Sequence, residues 1–205
     1  MIAGLALGAG MAHAASVSPV SYDMLDGGTG SYQYWDDTYP GNNNTVSYDS
    51  LTGGTGDLTD GVIATDNWFI TEAPAGPGPY VGWSNYNPVI TFNFATAYDF
   101  LSATFHFDDS DGNGGVSQPR SVNINGTDYT VPTNDGSAPF AFTADLAGLT
   151  TDTLVVTITR SNSWVFLSEV EFDARIDNQV PLPASVWLLA AGLGGLGLTR
   201  ARRKV

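Results

Sequence analysis

The chain contains no cysteine, which excludes disulfides and thiolate metal sites. Basic residues are nearly absent from its body. Only Arg120, Arg160 and Arg175 precede residue 200, while all 21 Asp and Glu residues lie between Asp23 and Asp177. Such an acidic surface repels phosphate backbones and argues against a nucleic-acid partner. Histidine is scarce, with His13 and His106 alone. No His-Glu-x-x-His or Gly-x-Ser-x-Gly motif occurs, so the hydrolytic templates fail. Pairs of Asp or Glu could serve glycoside hydrolysis, but any acidic sequence holds such pairs. The expectation is a protein that is not an enzyme. Internal repeats and long amphipathic helical periodicity are also missing.

What the chain does have is 24 Gly, many Asn, Asp, Ser and Thr, and β-branched or aromatic runs between them. This reads as strands joined by turns. Period-two or β-rich runs predict strands at Tyr32–Trp35, Trp68–Thr71, Val89–Phe94, Ser102–Phe107, Ser121–Ile124, Thr127–Val131, Phe140–Thr143, Leu154–Thr159 and Trp164–Phe172. Turn signals separate them, at Asp26-Gly27-Gly28, Asp60-Gly61, Asp111-Gly112-Asn113-Gly114 and Asn125-Gly126. The last predicts a type I′ hairpin. Three prolines within residues 73–79 mark a loop. The fold class is all-β, an antiparallel β-sandwich or jelly roll.

The two ends read differently. An apolar, Gly/Ala-rich segment closes on Ala12-His13-Ala14, a small-x-small pattern that predicts export and a cut after Ala14. No charged stretch precedes it, which leaves either a start further upstream or a signal lacking that part. The domain then runs over 15–179. At the other end, residues 180–185 are Pro-interrupted, Val186–Leu198 is uncharged and mostly apolar, and Arg200, Arg202, Arg203 and Lys204 form a basic cluster. The apolar run is short of the roughly 20 residues a spanning helix needs, although counting from Val180 gives a marginal span. The basic end would stay cytoplasmic and the body would face outward.

This tail resembles the PEP-CTERM class of bacterial sorting signals in its VPLPA variant, with Val180, Pro181, Leu182, Pro183 and Ala184 as the motif. The resemblance implies an exosortase as processing partner and a Gram-negative host that makes exopolysaccharide. It implies a location at the cell surface or in the extracellular matrix, with transient or stable anchoring in the inner membrane. A plain membrane anchor is the simpler alternative.

Within the body, Leu58-Thr59-Asp60-Gly61, Val81-Gly82-Trp83, Ile90–Phe94, Pro119–Val122 and Trp164–Phe172 follow one another in an order that resembles the galactose-binding-like jelly roll of the discoidin, or coagulation factor 5/8 type C, superfamily. The resemblance spans about Asp57 to Phe172. It implies a structural calcium ion (Ca2+) joining the early Asp-Gly turn to the last strand. The carboxylates of Asp60 and Glu169 would be ligands, with the carbonyls of Asp57, Val62 and Ser168 completing much of the shell. The simpler alternative is an Asp that makes a turn and a Glu at a strand edge.

Asp109, Asp111 and Asn113 match the start of an EF-hand loop, but Arg120 stands where the bidentate Glu belongs, so a solvated Asp/Gly loop is expected there. His106 alternates with Phe105 and Phe107 and reads as a strand residue. Large rings with polar edges suit carbohydrate C–H faces. Trp83 and Trp164 have β-rich neighbours and belong to the core. Trp35, Tyr39, Tyr80 and Tyr86 lie beside turn residues, so exposure and ligand binding are expected of them. Exopolysaccharide is the expected partner, and a purely structural or self-associating matrix role is the alternative.

Overall fold

The computed structural model describes residues 13–29, 32–40, 47–72 and 78–176. The apolar leader, most of the proline loop, the Val180–Ala184 motif, the expected helix over 186–198 and the basic end lie outside these residues. The strands are β1 (His13–Val17), β2 (Ser21–Leu25), β3 (Ser50–Gly54), β4 (Val81–Ser84), β5 (Val89–Phe107), β6 (Ser121–Ile124), β7 (Thr127–Thr130), β8 (Phe140–Thr159) and β9 (Trp164–Ile176). Residues Ala14–Ile176 form one compact unit.

The layers follow from side-chain alternation along β5. Ile90, Phe92 and Phe94 are buried, then Phe100, then Ala103, Phe105 and Phe107. The buried phase passes from even to odd residues between Phe100 and Ala103, where the register with β8 slips. A one-residue slip turns the following side chains to the opposite face. The first part of β5 pairs with β2 on one side and with Thr153–Thr157 of β8 on the other. β6 and β7 extend that layer beyond β8, and β3 extends it beyond β2. The second part of β5 pairs with the first part of β8 and with β9, which β1 and β4 flank. Hydrogen bonding is therefore continuous through both layers, because β5 and β8 belong to each.

The core lies between the layers. Phe172 of β9 packs edge-on against Phe92 and Phe94 of β5, with ring centroids 5.0 and 5.2 Å apart. Such pairs add about 0.5–1.5 kcal/mol beyond their burial. A second aromatic cluster holds Tyr34, Tyr80, Trp164 and Phe166, with Trp68 packed on it. Gly27 allows the chain to lie flat there, since a Cβ would come within 2.1 Å of the Tyr34 carbonyl and 2.5 Å of the Gly82 carbonyl.

The structure corrects the strand reading in three ways. The runs Val89–Phe94 and Ser102–Phe107 are one strand, as are Phe140–Thr143 and Leu154–Thr159. Between them Tyr98, Asp99 and Phe100 of β5 pair with Thr151, Thr150 and Leu149 of β8, flanked by register shifts. Trp68–Thr71 is a single helical turn rather than a strand. Its amides are met by the Asn67 carbonyl and by Asp108 Oδ2, which accepts from the Trp68 amide at 2.9 Å. Tyr32–Trp35 makes only an isolated bridge, and the Tyr34 carbonyl accepts from the Gly82 amide at 3.1 Å. The hairpin at Asn125-Gly126 forms as expected, with φ of 47° and 87° between β6 and β7.

Candidate functional site

The Asp60-Gly61 turn sits against β9. Asp57–Thr59 forms a 3-10 turn, and Gly61 follows at φ 84°. The Gly61 amide donates to Glu169 Oε2 at 2.9 Å, and Asp60 Oδ1 accepts from the Val62 amide at 2.8 Å. β9 is irregular at the contact. His106 pairs with Glu169 and Phe107 with Leu167, so Ser168 has no residue opposite it. Its hydroxyl donates to the His106 carbonyl at 3.2 Å and accepts from the Ala64 amide at 3.3 Å. Bulges of this kind re-aim side chains and free backbone groups.

Asp57, Ser168 and Glu169 are buried, whereas Asp60 and Val62 are exposed. The Asp57 carboxylate turns away, accepting from the Asp37 amide at 2.9 Å and the Thr38 hydroxyl at 2.5 Å. Burial pushes the Glu169 carboxyl up to about 7. The Gly61 amide opposes that shift, and the charges of Asp60 and Glu171 add to it. No basic side chain among the described residues pairs with Glu169. A buried carboxylate with one amide donor and an acidic neighbour suits a hard cation with oxygen ligands. Among the described residues no three His, Cys, Asp or Glu side chains converge as a metal site. A cation here would rest on two carboxylates, with carbonyls and water making up the rest.

A second acidic network was not foreseen from sequence. Asp26 and Asp36 are fully buried. The Tyr22 hydroxyl donates to Asp36, whose other oxygen accepts from the Asp57 amide at 2.8 Å. Asp26 Oδ1 accepts from the amides of Gly27 and Asp36, both at 2.8 Å. These carboxylates pin the turns of residues 26–40 inward with Trp35 and Tyr39, while buried Glu72 holds the Tyr80 amide. Trp35, Tyr39 and Tyr80 are 6%, 4% and 1% exposed, which overturns the expectation of exposed ligand-binding rings. Their polar edges are used inside. The Tyr39 hydroxyl donates to the Tyr22 carbonyl at 2.6 Å, and the Tyr80 hydroxyl to the Asp66 carbonyl at 3.1 Å.

The Asp/Gly loop after β5 is likewise only half solvated. Asp108 and Asp109 are buried, while residues 111–114 are exposed. Asp108 Oδ1 accepts from Asn67 Nδ2 at 2.6 Å, and Asp109 Oδ1 from the Asp111 amide at 3.0 Å. His106 Nε2 lies 2.8 Å from Glu171, as a satisfied strand residue.

A polar cleft of about 450 Å³ opens where the end of β4, the β4–β5 loop, the approach to β6 and the β8–β9 loop meet. Asn85, Asn87, Arg120, Arg160 and Asn162 line it, with serines between. Asn85 takes φ 67°, a left-handed conformation that asparagine tolerates. Its amide nitrogen donates to the Tyr48 hydroxyl at 3.0 Å. Asn87 Oδ1 accepts from the Arg160 amide at 3.1 Å. Arg160 Nη1 donates to the carbonyls of Ser163 and Asn162, while its buried Nε has no acceptor. Burial lowers the Arg160 pKa, against the opposing effect of Tyr48 and Tyr86. Tyr86 is half-buried, its ring 5.3 Å from Tyr48. Of the four rings expected to bind ligand, Tyr86 is the one beside this cleft. Sequence reasoning missed the cleft, although two of the three body arginines, Arg120 and Arg160, were its signal.

A family model described as Discoidin domain-containing receptor 1/2, DS-like domain matches residues 19–123, just over half of the chain. No curated protein matches the sequence. Among solved structures, a truncated AlyQ with CBM32 and alginate lyase domains aligns at 12% identity and a TM-score of 0.45, over 80% of this chain and 34% of that one. This chain thus spans about a third of the AlyQ length. A GH31 CBM32-2 bound to GalNAc aligns at 12% identity and a TM-score of 0.36, over 79% and 97%. A fucolectin from Morone saxatilis (striped bass) serum aligns at 17% identity and a TM-score of 0.38, over 58% and 40%. By the family match, which starts just ahead of β2 and ends within β6, the chain belongs to the DS-like domain family of discoidin domain-containing receptors.

Proposed function

We propose that this chain is an exported, non-catalytic carbohydrate-binding protein of a bacterial surface or extracellular matrix. The polar cleft beside Tyr86 carries the reading. Sugar hydroxyls both donate and accept, and asparagine amides with serine hydroxyls offer both roles. Tyr86, between the lining Asn85 and Asn87, is half-buried with its ring on Tyr48. The cleft lining holds Asn, Ser and Arg, which supply hydrogen bonds but no carboxylate pair for glycoside hydrolysis.

Calcium would be held by the carboxylates of Asp60 and Glu169 and the carbonyls of Asp57, Val62 and Ser168. There it would tie the early turn to the last strand as a structural ion. In the same reading the tail from Val180 is a VPLPA-type signal, handled by an exosortase at the inner membrane. Among the described residues no helix is long and apolar enough to cross a membrane. Any membrane contact in this proposal belongs to the tail.

Affinity electrophoresis of the purified protein through gels containing different bacterial exopolysaccharides tests the binding. Retardation in at least one gel is expected. Free migration in all of them, together with concentration-dependent self-assembly, would replace this reading with a purely structural matrix role.

A further inference from the structure

Resting on the carbohydrate reading, we propose that the cleft selects an acidic saccharide, one whose carboxylate or sulfate meets Arg120 and Arg160. The described body has three arginines among its many acids. Arg175 is bonded to Asp99 at 2.9 Å. The other two line the same cleft, and neither has a carboxylate in ion-pair range among the described residues. No Asp or Glu lines the cleft. In a chain of net charge −14, two guanidinium groups without counter-charges therefore face one cavity.

Their surroundings fix them for that role. Arg160 is anchored through Nη1 to the β8–β9 loop and through its amide to Asn87, so its position is set before a ligand arrives. Burial lowers its pKa, its Nε lacks an acceptor and its Nη1 bonds go to neutral carbonyls, so the charge is partly desolvated and without a counter-charge. Arg120 is exposed and free of hydrogen-bonded side-chain partners among the described residues. A neutral sugar would be served by the asparagines and serines alone. The exposed Arg120 leaves its planar fork free to bind an anionic oxygen pair in bidentate fashion, and Arg160 adds a second positive charge without a counter-charge beside it.

Isothermal titration of the full chain with three polymers tests this. They are polygalacturonate, its carboxyl-reduced neutral counterpart, and dextran sulfate. Polygalacturonate or dextran sulfate should bind about tenfold or more tighter than the neutral polymer, the ratio expected for one charged hydrogen bond. Whichever of the two binds identifies the acidic group. The preference should disappear in Arg120→Gln and persist in Arg175→Gln, which removes the same charge outside the cleft. Arg160→Gln removes a loop anchor, so Arg120→Gln, checked by its thermal midpoint, is the deciding variant. Equal binding of acidic and neutral polymers would overturn the selectivity while leaving the carbohydrate reading standing. Binding of acidic polymer that survives Arg120→Gln would place it outside the cleft and overturn the proposal. Binding of none of the three, alongside free migration in every exopolysaccharide gel, would remove both.

Discussion

The amide of Gly61 donates to Oε2 of Glu169 at 2.9 Å, across 108 residues of sequence. The bond closes the turn after Asp57–Thr59 onto the final strand. It also leaves a buried carboxylate facing the acidic Asp60. If calcium occupies that place, added calcium raises the thermal midpoint and a chelator lowers it. A ligand at a hundredfold excess over its Kd contributes about 2.7 kcal/mol. Glu169→Gln keeps an acceptor for Gly61 and loses the charge, so its midpoint should ignore both additions. A wild-type midpoint that moves with neither addition removes calcium from the description.

Glu72 makes stability depend on pH. It is 2% exposed, and its Oε1 accepts from the Tyr80 amide at 2.9 Å. Burial raises its pKa to about 7. The Tyr80 amide opposes this, while the charges of Asp37 and Asp57 reinforce it. The folded state thus holds a proton that the unfolded chain releases near its ordinary 4.5. The stabilisation is complete below that value and is lost as pH rises to about 7. Glu72→Gln retains the acceptor and cannot ionise. It should be close to wild type at pH 4 and more stable by on the order of 1–3 kcal/mol at pH 8, read from urea midpoints. A constant difference across that range would contradict the assignment.

Phe172 fills the space between the layers. Phe172→Ala leaves Phe92, Phe94 and Phe100 without their common neighbour. A loss of about 3–5 kcal/mol is expected in urea unfolding. A loss below about 1 kcal/mol would mean that the layers close over the gap.

Much of the fold was legible because its signals are local. Asn125-Gly126 fixes a two-residue turn by its own backbone preferences, and the apolar run from Trp164 marks β9. Strand continuity was not legible. Tyr98 and Asp99 continue β5 through backbone pairing, which leaves no mark on side-chain alternation. Exposure failed for a related reason. Trp35, Tyr39 and Tyr80 do lie beside turns, but buried Asp26, Asp36 and Asp57 draw the first two inward and buried Glu72 holds the Tyr80 amide, and a carboxylate's partners are set by tertiary contacts. The cleft draws on residues 84–87, 120 and 160–163, which only the closed sheet gathers. The family resemblance was read from Asp57 onward, whereas the family model also takes in residues 19–56, where β2 and β3 are short and carry weak patterns.

The long pair of β5 and β8 has a mechanical consequence. Each strand is a rib common to both layers, so neither layer can slide over the other unless the β5–β8 ladder tears in two places. Shear applied along the strands is carried by backbone hydrogen bonds in parallel rather than by the apolar contacts between the layers. A module built this way resists being pulled flat.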